Sequence, residues 1–318
     1  MTANISQPDT AELPAASYDY STIQQQGVAW RFIVALPSFL YSCLHNFAAQ
    51  LIFPGLSFKD IANLDNHRCR ILTSSTIAAD FIVERIAINV NGAPIDVLRL
   101  TNKSVAAKKK NRWMLFHIGT AQRYEYGVEL YSGIAKTIES HVIFYNYPGF
   151  GRSKRFKSWQ SSILYKRQVT DAASAVFSYV DKVLYASQDN SFGFSIGGAV
   201  QATDNRSVLN PQKKYVWISS HTFSTLHTII QHLIGGYLAV IGWCLANLAY
   251  LLGWNHDTKS VVAASKDPQL VVQMGEDGEV THDGVIAPNS SLASGLKQVI
   301  NANITTLLVT ADHDHLDP

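Results

Sequence analysis

A serine flanked by glycines is the residue of this sequence best suited to nucleophilic chemistry. Ser195 stands in Gly193-Phe-Ser195-Ile-Gly197-Gly198, which satisfies the pattern Gly-x-Ser-x-Gly, and a helix-forming stretch follows it. A nucleophile on a sharp strand-to-helix turn needs glycines on both sides, because its strained backbone leaves no room for neighbouring side chains. The pattern also occurs by chance, so the alternative is a glycine-rich turn that buries an ordinary serine.

Two aspartates follow the serine at positions where a carboxylate could orient a histidine. Asp283, in the segment HDGVIAP, comes just before a predicted helix. Asp277, in the segment GEDG, lies nearer to the end of the preceding strand and is the alternative. In open parallel sheets, a triad of serine, acid and histidine follows this order along the chain, with the acid on a loop after a later strand than the serine. The sequence favours Asp283.

The histidine that would act as the base is expected after the last predicted strand. His313 and His315 both lie in Ala-Asp-His-Asp-His, directly after ITTLLVT. A shift of two residues in the placement of this loop would decide which of the two is the base. His313 is slightly favoured. The alternating Asp and His side chains could also ligate a divalent ion, but adjacent ligands seldom complete one shell without distant partners. We therefore expect no metal and no organic cofactor.

A serine that attacks a carbonyl group also needs an oxyanion hole, which stabilises the negative charge on the oxygen. It is formed by two backbone N–H groups, one of them from the residue after the nucleophile. Ile196 is that residue. The second donor is expected from the loop HIGTA, which follows the apolar strand WMLF, and Thr120 is the predicted donor with Ala121 as the alternative. An ordinary strand-to-helix loop that contains a glycine is the competing interpretation.

The elements that must position these residues are typical of an α/β fold. Alternating apolar and polar residues on both sides of Asn91-Gly92 predict antiparallel strands at 83–90 and 94–100. From residue 112 onward, apolar strands alternate with helix-length segments, which indicates a mostly parallel sheet with helices on both faces. The predicted elements include a long helix at 163–185, a strand from Gln269, a helix at 289–299 and a strand from Ile304.

The sequence predicts three segments along the chain. Residues 1–26 are polar and are expected to form a flexible tail, and residues 27–82 form an apolar helical segment. Residues 83–318 form the α/β domain. Within it, the stretch 223–254 contains no Asp, Glu, Lys or Arg and is long enough to cross a bilayer. Because it lies between two strands of one sheet, an apolar lid at about 223–258 is preferred over a membrane span.

Composition excludes several classes of protein. Hydrophobic residues make up 47% of the chain and charged residues 16%, so general disorder is excluded. The formal net charge of +2 arises from 26 basic and 24 acidic residues, which argues against a nucleic-acid partner. The 3 cysteines form no CxxC pair, which argues against a disulfide framework or a zinc site. The N-terminus lacks the basic and then apolar stretch of a secretory signal.

With Ser195, Asp283 and His313 or His315 in this order, the chain resembles the α/β-hydrolase superfamily from about residue 84 onward. The segment NYPGFGRS at 146–153 is similar to a loop that borders the active site of that superfamily. This segment, GTAQRYE at 119–125 and GFSIGG at 193–198 together resemble segments of serine hydrolases from intracellular bacterial pathogens. These hydrolases include SidB-like substrates of the Dot/Icm secretion system and chlamydial relatives. Thr120 departs from the usual asparagine or glycine of the oxyanion loop.

The resemblance implies a serine esterase or lipase-type enzyme that cleaves a carboxylic ester or thioester. The apolar segments 28–56 and 223–254 favour a lipid or acylated substrate and peripheral association with a membrane. The expected location is cytoplasmic or membrane-associated, and the resemblance implies delivery into a host cell as a bacterial effector. Two alternatives are an inactive hydrolase-fold module that docks on membranes, and an integral membrane protein in which 28–56 and 233–254 span.

Overall fold

A computed structural model of the chain describes residues 17–20, 52, 66, 68, 70–120, 122–153, 165–204, 213–251, 254, 256–283 and 285–310. The strands are β1 (Ser17–Tyr20), β2 (Phe81–Val90), β3 (Ala93–Asn102), β4 (Arg112–His117), β5 (His141–Tyr145), β6 (Gln188–Phe194), β7 (Lys214–Ser220), β8 (Gln269–Glu276), β9 (Glu279–Val280) and β10 (Ile304–Val309). The helices are α1 (Ser75–Asp80), α2 (Val105–Lys110), α3 (Tyr124–Thr137), α4 (Tyr165–Lys182), α5 (Ile196–Asp204), α6 (Leu226–Leu251), α7 (Thr258–Ala263) and α8 (Leu292–Leu296), and a 3₁₀ turn spans Pro288–Ser290.

These strands form one mixed sheet that is mostly parallel. Their spatial order is β1-β2-β3-β5-β4-β6-β7-β8-β10, and the short β9 pairs with β8. Only β3 and β9 run against the common direction of the described strands. The predicted fold class, an α/β fold with a mostly parallel sheet, is confirmed.

The antiparallel pair at the start of the domain is the predicted hairpin. Strands β2 and β3 pair in register from Phe81 opposite Asn102 to Val90 opposite Ala93. The two residues of the turn, Asn91 and Gly92, have φ angles of 50° and 80°. Positive φ at both positions is the requirement of a tight turn that matches the strand twist, and Asn-Gly meets it with little strain.

Helices cover both faces of the sheet. The connection through α3 leads from β4 to β5 in one direction, whereas the connection through α4 leads from β5 back past β4 to β6. Because such connections are right-handed, α3 and α4 lie on opposite faces. The contacts agree, since α1 packs on α3, while α4, α5, α7 and α8 pack successively on one another. The loops at the carboxyl ends of the parallel strands therefore lie along one edge of the sheet.

Two short elements depart from the sequence analysis. Within the predicted tail, Ser17–Tyr20 is a strand that pairs in parallel with Ala87–Val90 at the edge of the sheet. The lysine run 108–110, for which no secondary structure was predicted, is the last turn of α2. The Ser104 hydroxyl caps that helix by accepting from the Ala107 N–H, and lysines in the last turn favour it electrostatically.

The apolar stretch between β7 and β8 forms the long helix α6. Its first turn is buried against the domain through Leu226, Ile229 and Ile230, and its last turns through Ala246 and Ala249. Across the described ranges, no helix has the length and apolar content needed to span a bilayer. Apart from Ile52, the apolar segment 28–56 lies outside the described residues.

Candidate active site

Ser195 occupies the single residue between β6 and α5, at the edge of the sheet where the parallel strands end. Its φ angle is +54°, in the left-handed region that is costly for residues other than glycine. The side chain is only 8% exposed. Strained backbone at a buried serine between a strand and a helix is the geometry of a nucleophile elbow. Ser195 therefore lies on a strained strand-to-helix turn, and its role as the nucleophile stays a prediction.

The glycines around Ser195 are required by close packing of the backbone. A β-carbon on Gly193 would lie 2.5 Å from the Cα of Gly198. On Gly197 it would lie 2.2 Å from the carbonyl oxygen of His117, and on Gly198 it would lie 2.0 Å from the hydroxyl of Thr222. Each position excludes any side chain. The glycines thus let the elbow pack against the end of β4 and the loop after β7.

The strand next to the elbow fixes its backbone. The Ser195 N–H donates to the carbonyl oxygen of Ser220 at 2.9 Å, which extends the pairing of β6 with β7 by one residue. His221 follows with a φ of 50°, and its Nδ1 lies 2.9 Å from the Ser220 hydroxyl. The ring of His221 also lies 5.6 Å from that of Phe194, measured between centroids. The sequence alone predicted no role for this Ser220–His221 pair.

The two predicted oxyanion donors lie on segments that contact each other. Ile196 is the first residue of α5, where backbone N–H groups have no partner within the helix. The loop after β4 runs beside the elbow, because a β-carbon on Gly197 would also lie 2.8 Å from the carbonyl oxygen of Ile118. A β-carbon on Gly119 would lie 3.2 Å from the ring of Phe194. Thr120 is the next residue of that loop, and it is partly exposed.

The loop around Thr120 is closed by hydrogen bonds of its own. The side-chain oxygen of Gln122 accepts from the Gly119 N–H at 3.3 Å. The carbonyl of Ile118 accepts from the Tyr147 hydroxyl at 3.0 Å. These bonds hold both ends of the loop against the start of α3 and the segment after β5.

Asp283 is fully buried beyond the end of β8. Its Oδ1 accepts from the N–H groups of Val285 at 3.1 Å and Ile286 at 2.6 Å, and its Oδ2 accepts from the Gln273 side-chain amide at 3.0 Å. Since β8 is two strands from β6, the strand that leads to Asp283 lies about two strand spacings, or ~10 Å, from the strand that leads to Ser195. Donors to both oxygens favour the ionised carboxylate.

The alternative acid lies in a different setting. Asp277 and Gly278 form the turn between β8 and β9, with φ angles of 51° and 81°, and the aspartate side chain is exposed. That geometry is the one for which Asp-Gly is favoured in a tight hairpin, so a turn role accounts for Asp277. The candidate bases His313 and His315 lie outside the described residues. They follow β10, which ends at the same sheet edge.

A buried ionic cluster lies behind the loop that carries Thr120. Asp96 on β3 is fully buried and pairs with Arg68 and with Arg85, whose Nε lies 2.8 Å from the carboxylate. Arg68 also pairs with Glu125, in the first turn of α3. Burial opposes the charge on Arg68, but Tyr124, Asp96 and Glu125 outweigh it and raise the guanidinium pKa. Two carboxylates and two guanidiniums thus balance inside the protein.

Asn146 joins this cluster to the segment after β5. Its Oδ1 accepts from the Tyr124 N–H at 3.1 Å, and its Nδ2 donates to Glu125 at 2.9 Å. Gly151 has a φ of +51°, and a β-carbon there would lie 2.7 Å from the Asn146 Nδ2. The Ser153 hydroxyl donates to the Asn146 carbonyl and accepts from the Asp96 N–H. The segment NYPGFGRS is therefore a fixed support for the start of α3.

His117, at the end of β4, is a buried histidine with a structural role. Its Nδ1 lies 2.7 Å from the Tyr145 hydroxyl, and the side chain is fully buried. Burial lowers the pKa of the imidazole to about 3, so the ring is neutral at physiological pH. No group of three or more His, Cys, Asp or Glu side chains in the described ranges is placed to hold a metal ion.

Neither Gln273 nor the cluster around Asp96 was predicted from the sequence. Gln273 could have been noticed, because a glutamine in the middle of the apolar strand QLVVQMGE is unusual. The cluster had no comparable signal, since Arg68, Asp96 and Glu125 are far apart in the sequence and each resembles a surface residue.

Comparison with solved structures identifies the α/β-hydrolase fold. An alpha-beta hydrolase from Vibrio vulnificus superposes with a TM-score of 0.58 at 12% sequence identity, covering 96% of this chain and 92% of that one. An esterase from Pyrococcus furiosus superposes with a TM-score of 0.52 at 11% identity, covering 75% of this chain and 85% of that one. At such identities the similarity establishes the fold alone.

No protein of curated function matches the sequence. A family model described as "Chlamydia CHLPS protein (DUF818)" matches residues 32–311, which is most of the chain. The predicted resemblance to α/β-hydrolases and to chlamydial proteins is thereby confirmed, whereas the resemblance to SidB-like effectors stays a prediction. The chain belongs to the family of the Chlamydia CHLPS protein, DUF818.

Proposed function

We propose that this protein is a serine hydrolase that cleaves a carboxylic ester or thioester. One observation carries the proposal: Ser195 holds a φ of +54° between β6 and α5. The backbone around it packs so closely that the flanking glycines admit no β-carbon. Backbone strain of this kind persists only where the surrounding structure over-determines it, and it is concentrated at functional sites. If this buried residue served only to form a turn, the protein would be more stable with glycine at this position than with serine.

The proposed reaction is acyl transfer through Ser195. His313 or His315 removes the hydroxyl proton while Oγ attacks the carbonyl carbon, and the imidazolium then protonates the departing alcohol or thiol. Water, deprotonated by the same histidine, attacks the acyl-enzyme and releases the acid and the free serine. The N–H groups of Ile196 and Thr120 stabilise the oxyanion, and Asp283 orients the imidazole and stabilises its positive charge. The reaction uses no metal or organic cofactor.

We propose a lipid or another acylated molecule as the substrate, with α6 as a lid that meets a membrane surface. Leu233, Val240, Trp243 and Tyr250 follow one another at spacings of 7, 3 and 7, so they lie on one side of the helix. All four side chains are exposed, and Val240 is 75% exposed. An exposed apolar stripe of this length is typical of a surface that enters a lipid interface.

The contact between α6 and the loop of the proposed acid supports this arrangement. The rings of His232 on α6 and His282 beside Asp283 lie 5.9 Å apart, measured between centroids. At its start, α6 is also tied to the same region, because the Ser224 N–H donates to the Ser290 carbonyl at 2.8 Å. A lipid that contacts α6 would therefore reach the sheet edge that carries Ser195. Peripheral membrane association and delivery as a SidB-like bacterial effector are parts of this proposal.

Hydrolysis of p-nitrophenyl esters with acyl chains of two to sixteen carbons tests the proposal. The purified protein should be active, with rates that rise with chain length, and Ser195→Ala should reduce kcat by at least about a thousandfold. Ser187→Ala, at the exposed residue just before the same strand β6, is the matched control and should keep full activity. Equal rates for the wild type and Ser195→Ala would contradict the assignment of the nucleophile.

Labelling by a fluorophosphonate separates the enzyme from an inactive membrane-docking module with the same fold. An activated Ser195 forms a covalent adduct at the hydroxyl, which mass spectrometry locates on the peptide that contains residue 195. A folded protein that is not labelled and hydrolyses no ester would support the docking module instead.

A further inference from the structure

We propose that Gln273 is a positioning residue for Asp283, which it holds ionised and oriented toward the base. The inference rests on the proposed function, because it gives Gln273 a role only if Asp283 acts as the acid. Gln273 lies in the middle of β8, and its side chain is fully buried. Its Nε2 donates to the Asp283 Oδ2 at 3.0 Å.

The two oxygens of Asp283 are held by different parts of the protein. Oδ1 accepts from Val285 and Ile286, which belong to its own loop, whereas Oδ2 accepts from Gln273 on the sheet. The loop contacts fix the position of Oδ1, and the contact with the sheet fixes the position of Oδ2. Gln273 ties that oxygen to the rigid sheet.

The orientation of the Gln273 amide is determined by Asp283. An ionised carboxylate only accepts hydrogen bonds, so the NH₂ group must face it and the amide oxygen must point away. Among the described residues, that Oε1 has no hydrogen-bond partner. A buried acceptor without a partner is unfavourable for stability, and an apolar residue would suit this strand better. The glutamine is thus explained by its effect on Asp283 and not by the needs of the fold.

Two substitutions separate positioning from packing. Gln273→Met keeps the length of the side chain and removes the donor, and kcat should fall about 10- to 100-fold with little change in KM. Gln273→Glu places a second carboxyl beside Asp283, where burial and the neighbouring charge keep it protonated at neutral pH. Protonated, it can donate the same hydrogen bond, so activity should be retained near pH 6 and lost as the pH rises toward 9. The folded fraction is followed by circular dichroism at each pH.

The matched control is Gln269→Met, on the same strand. Gln269 is also buried, but its amide donates to the Ser265 hydroxyl at 2.9 Å and does not contact Asp283. This variant should keep the wild-type kcat and pH profile even if it is less stable. Wild-type kcat in Gln273→Met, or a wild-type pH profile in Gln273→Glu, would overturn the inference. Loss of activity in Ser195→Ala in the same experiment would leave the proposed function intact.

Discussion

The carbonyl oxygen of His117 lies where a side chain on residue 197 would have to be. The gap between that oxygen and an ideal β-carbon on Gly197 is 2.2 Å, and both partners are backbone atoms of rigid elements. Neither the end of β4 nor the first turn of α5 can move without displacing Ser195 or the proposed oxyanion loop. This contact therefore sets the relative position of nucleophile and oxyanion donor.

The first prediction concerns this contact. Gly197→Ala should lower the free energy of unfolding by about 2–4 kcal/mol and reduce esterase activity at least about 100-fold, because the clash shifts the elbow. Urea unfolding and ester hydrolysis measure the two effects. Gly133→Ala on α3 is the matched control: nothing lies within 4 Å of its added β-carbon. It should be neutral or stabilising by about 0.5–1 kcal/mol. A well-folded, fully active Gly197→Ala would contradict the prediction.

The second prediction concerns the strain at Ser195. Glycine adopts a φ of +54° without cost, whereas alanine carries the same penalty as serine. Ser195→Gly should therefore be more stable than Ser195→Ala by about 1 kcal/mol, although both variants are inactive. Thermal unfolding of the two variants under identical conditions tests this difference. Equal midpoints, or a more stable alanine variant, would show that the elbow is not strained.

The third prediction concerns the buried ionic cluster. Asp96→Asn removes the charge that Arg68 and Arg85 share, and it should cost about 3–5 kcal/mol of unfolding free energy because one positive charge of the buried cluster is left without a counter-charge. The exposed pair Lys297–Glu279 provides the control, since Lys297→Met should change stability by less than about 1 kcal/mol. Denaturant titration at neutral pH measures both. A small effect of Asp96→Asn would indicate that the arginines find other partners.

The fourth prediction concerns Asp189, at the opposite end of β6 from Ser195. Its carboxylate is buried, and neither oxygen accepts a hydrogen bond within the described residues. Burial raises its pKa from 3.8 to about 7, with Lys213 opposing the rise and Asp181 adding to it. The folded protein thus keeps a proton that the unfolded chain releases near pH 4. Its contribution to stability is present below that pH and is lost as the pH rises to about 7.

Asp189→Asn removes this dependence, because the amide does not ionise. At each pH, the unfolding free energy of the variant is compared with that of the wild type. This difference should favour the variant by roughly 1–3 kcal/mol more at pH 8 than at pH 4. Urea unfolding at the two pH values gives the comparison. Asp277→Asn, in the exposed turn after β8, is the control and should show no such change. A constant difference between Asp189→Asn and wild type would rule out the raised pKa.

The fifth prediction concerns the apolar stripe of α6. Trp243, which is 57% exposed, should enter the interface of lipid vesicles, so Trp243→Ser should weaken vesicle binding about 5- to 30-fold. Hydrolysis of a short soluble ester should be unchanged. Leu130→Ser, on the exposed side of α3, is the control and should bind vesicles as the wild type does. Co-sedimentation with phosphatidylcholine–phosphatidylglycerol vesicles measures binding, and identical binding by all three proteins would refute a lipid-facing α6.

The fold could be predicted from the sequence because the patterns that indicate its elements are local. Asn91-Gly92 between alternating strands determines the hairpin, and the apolar strands separated by helices determine the parallel sheet. The elbow was predictable for the same reason, since glycines on both sides of Ser195 report backbone contacts that occur wherever this turn forms. Each of these signals lies within one short stretch of sequence, although the contacts that require glycine at 197 and 198 come from His117 and Thr222.

What the sequence did not reveal depends on distant residues. Arg68, Asp96 and Glu125 come from three separate segments, and only the folded chain shows that they neutralise one another. The strand Ser17–Tyr20 was not predicted because its alternation of two polar and two tyrosine residues is too short to distinguish a strand from the polar segment around it. Gln273 belongs to the same class, since its partner Asp283 is supplied by a loop after the strand.

The order of the central strands has a consequence for how the chain folds as it is synthesised. Strand β4 pairs with β5 on one side, but its other side waits for β6, whose first residue is Gln188. Until then a nascent chain exposes one unpaired edge of the apolar strand RWMLFH, and an exposed edge of this kind favours aggregation. Strand β6, which ends at the nucleophile, closes that edge. Premature termination before it should therefore yield insoluble fragments, and the proposed catalytic serine becomes positioned in the same step that completes the centre of the sheet.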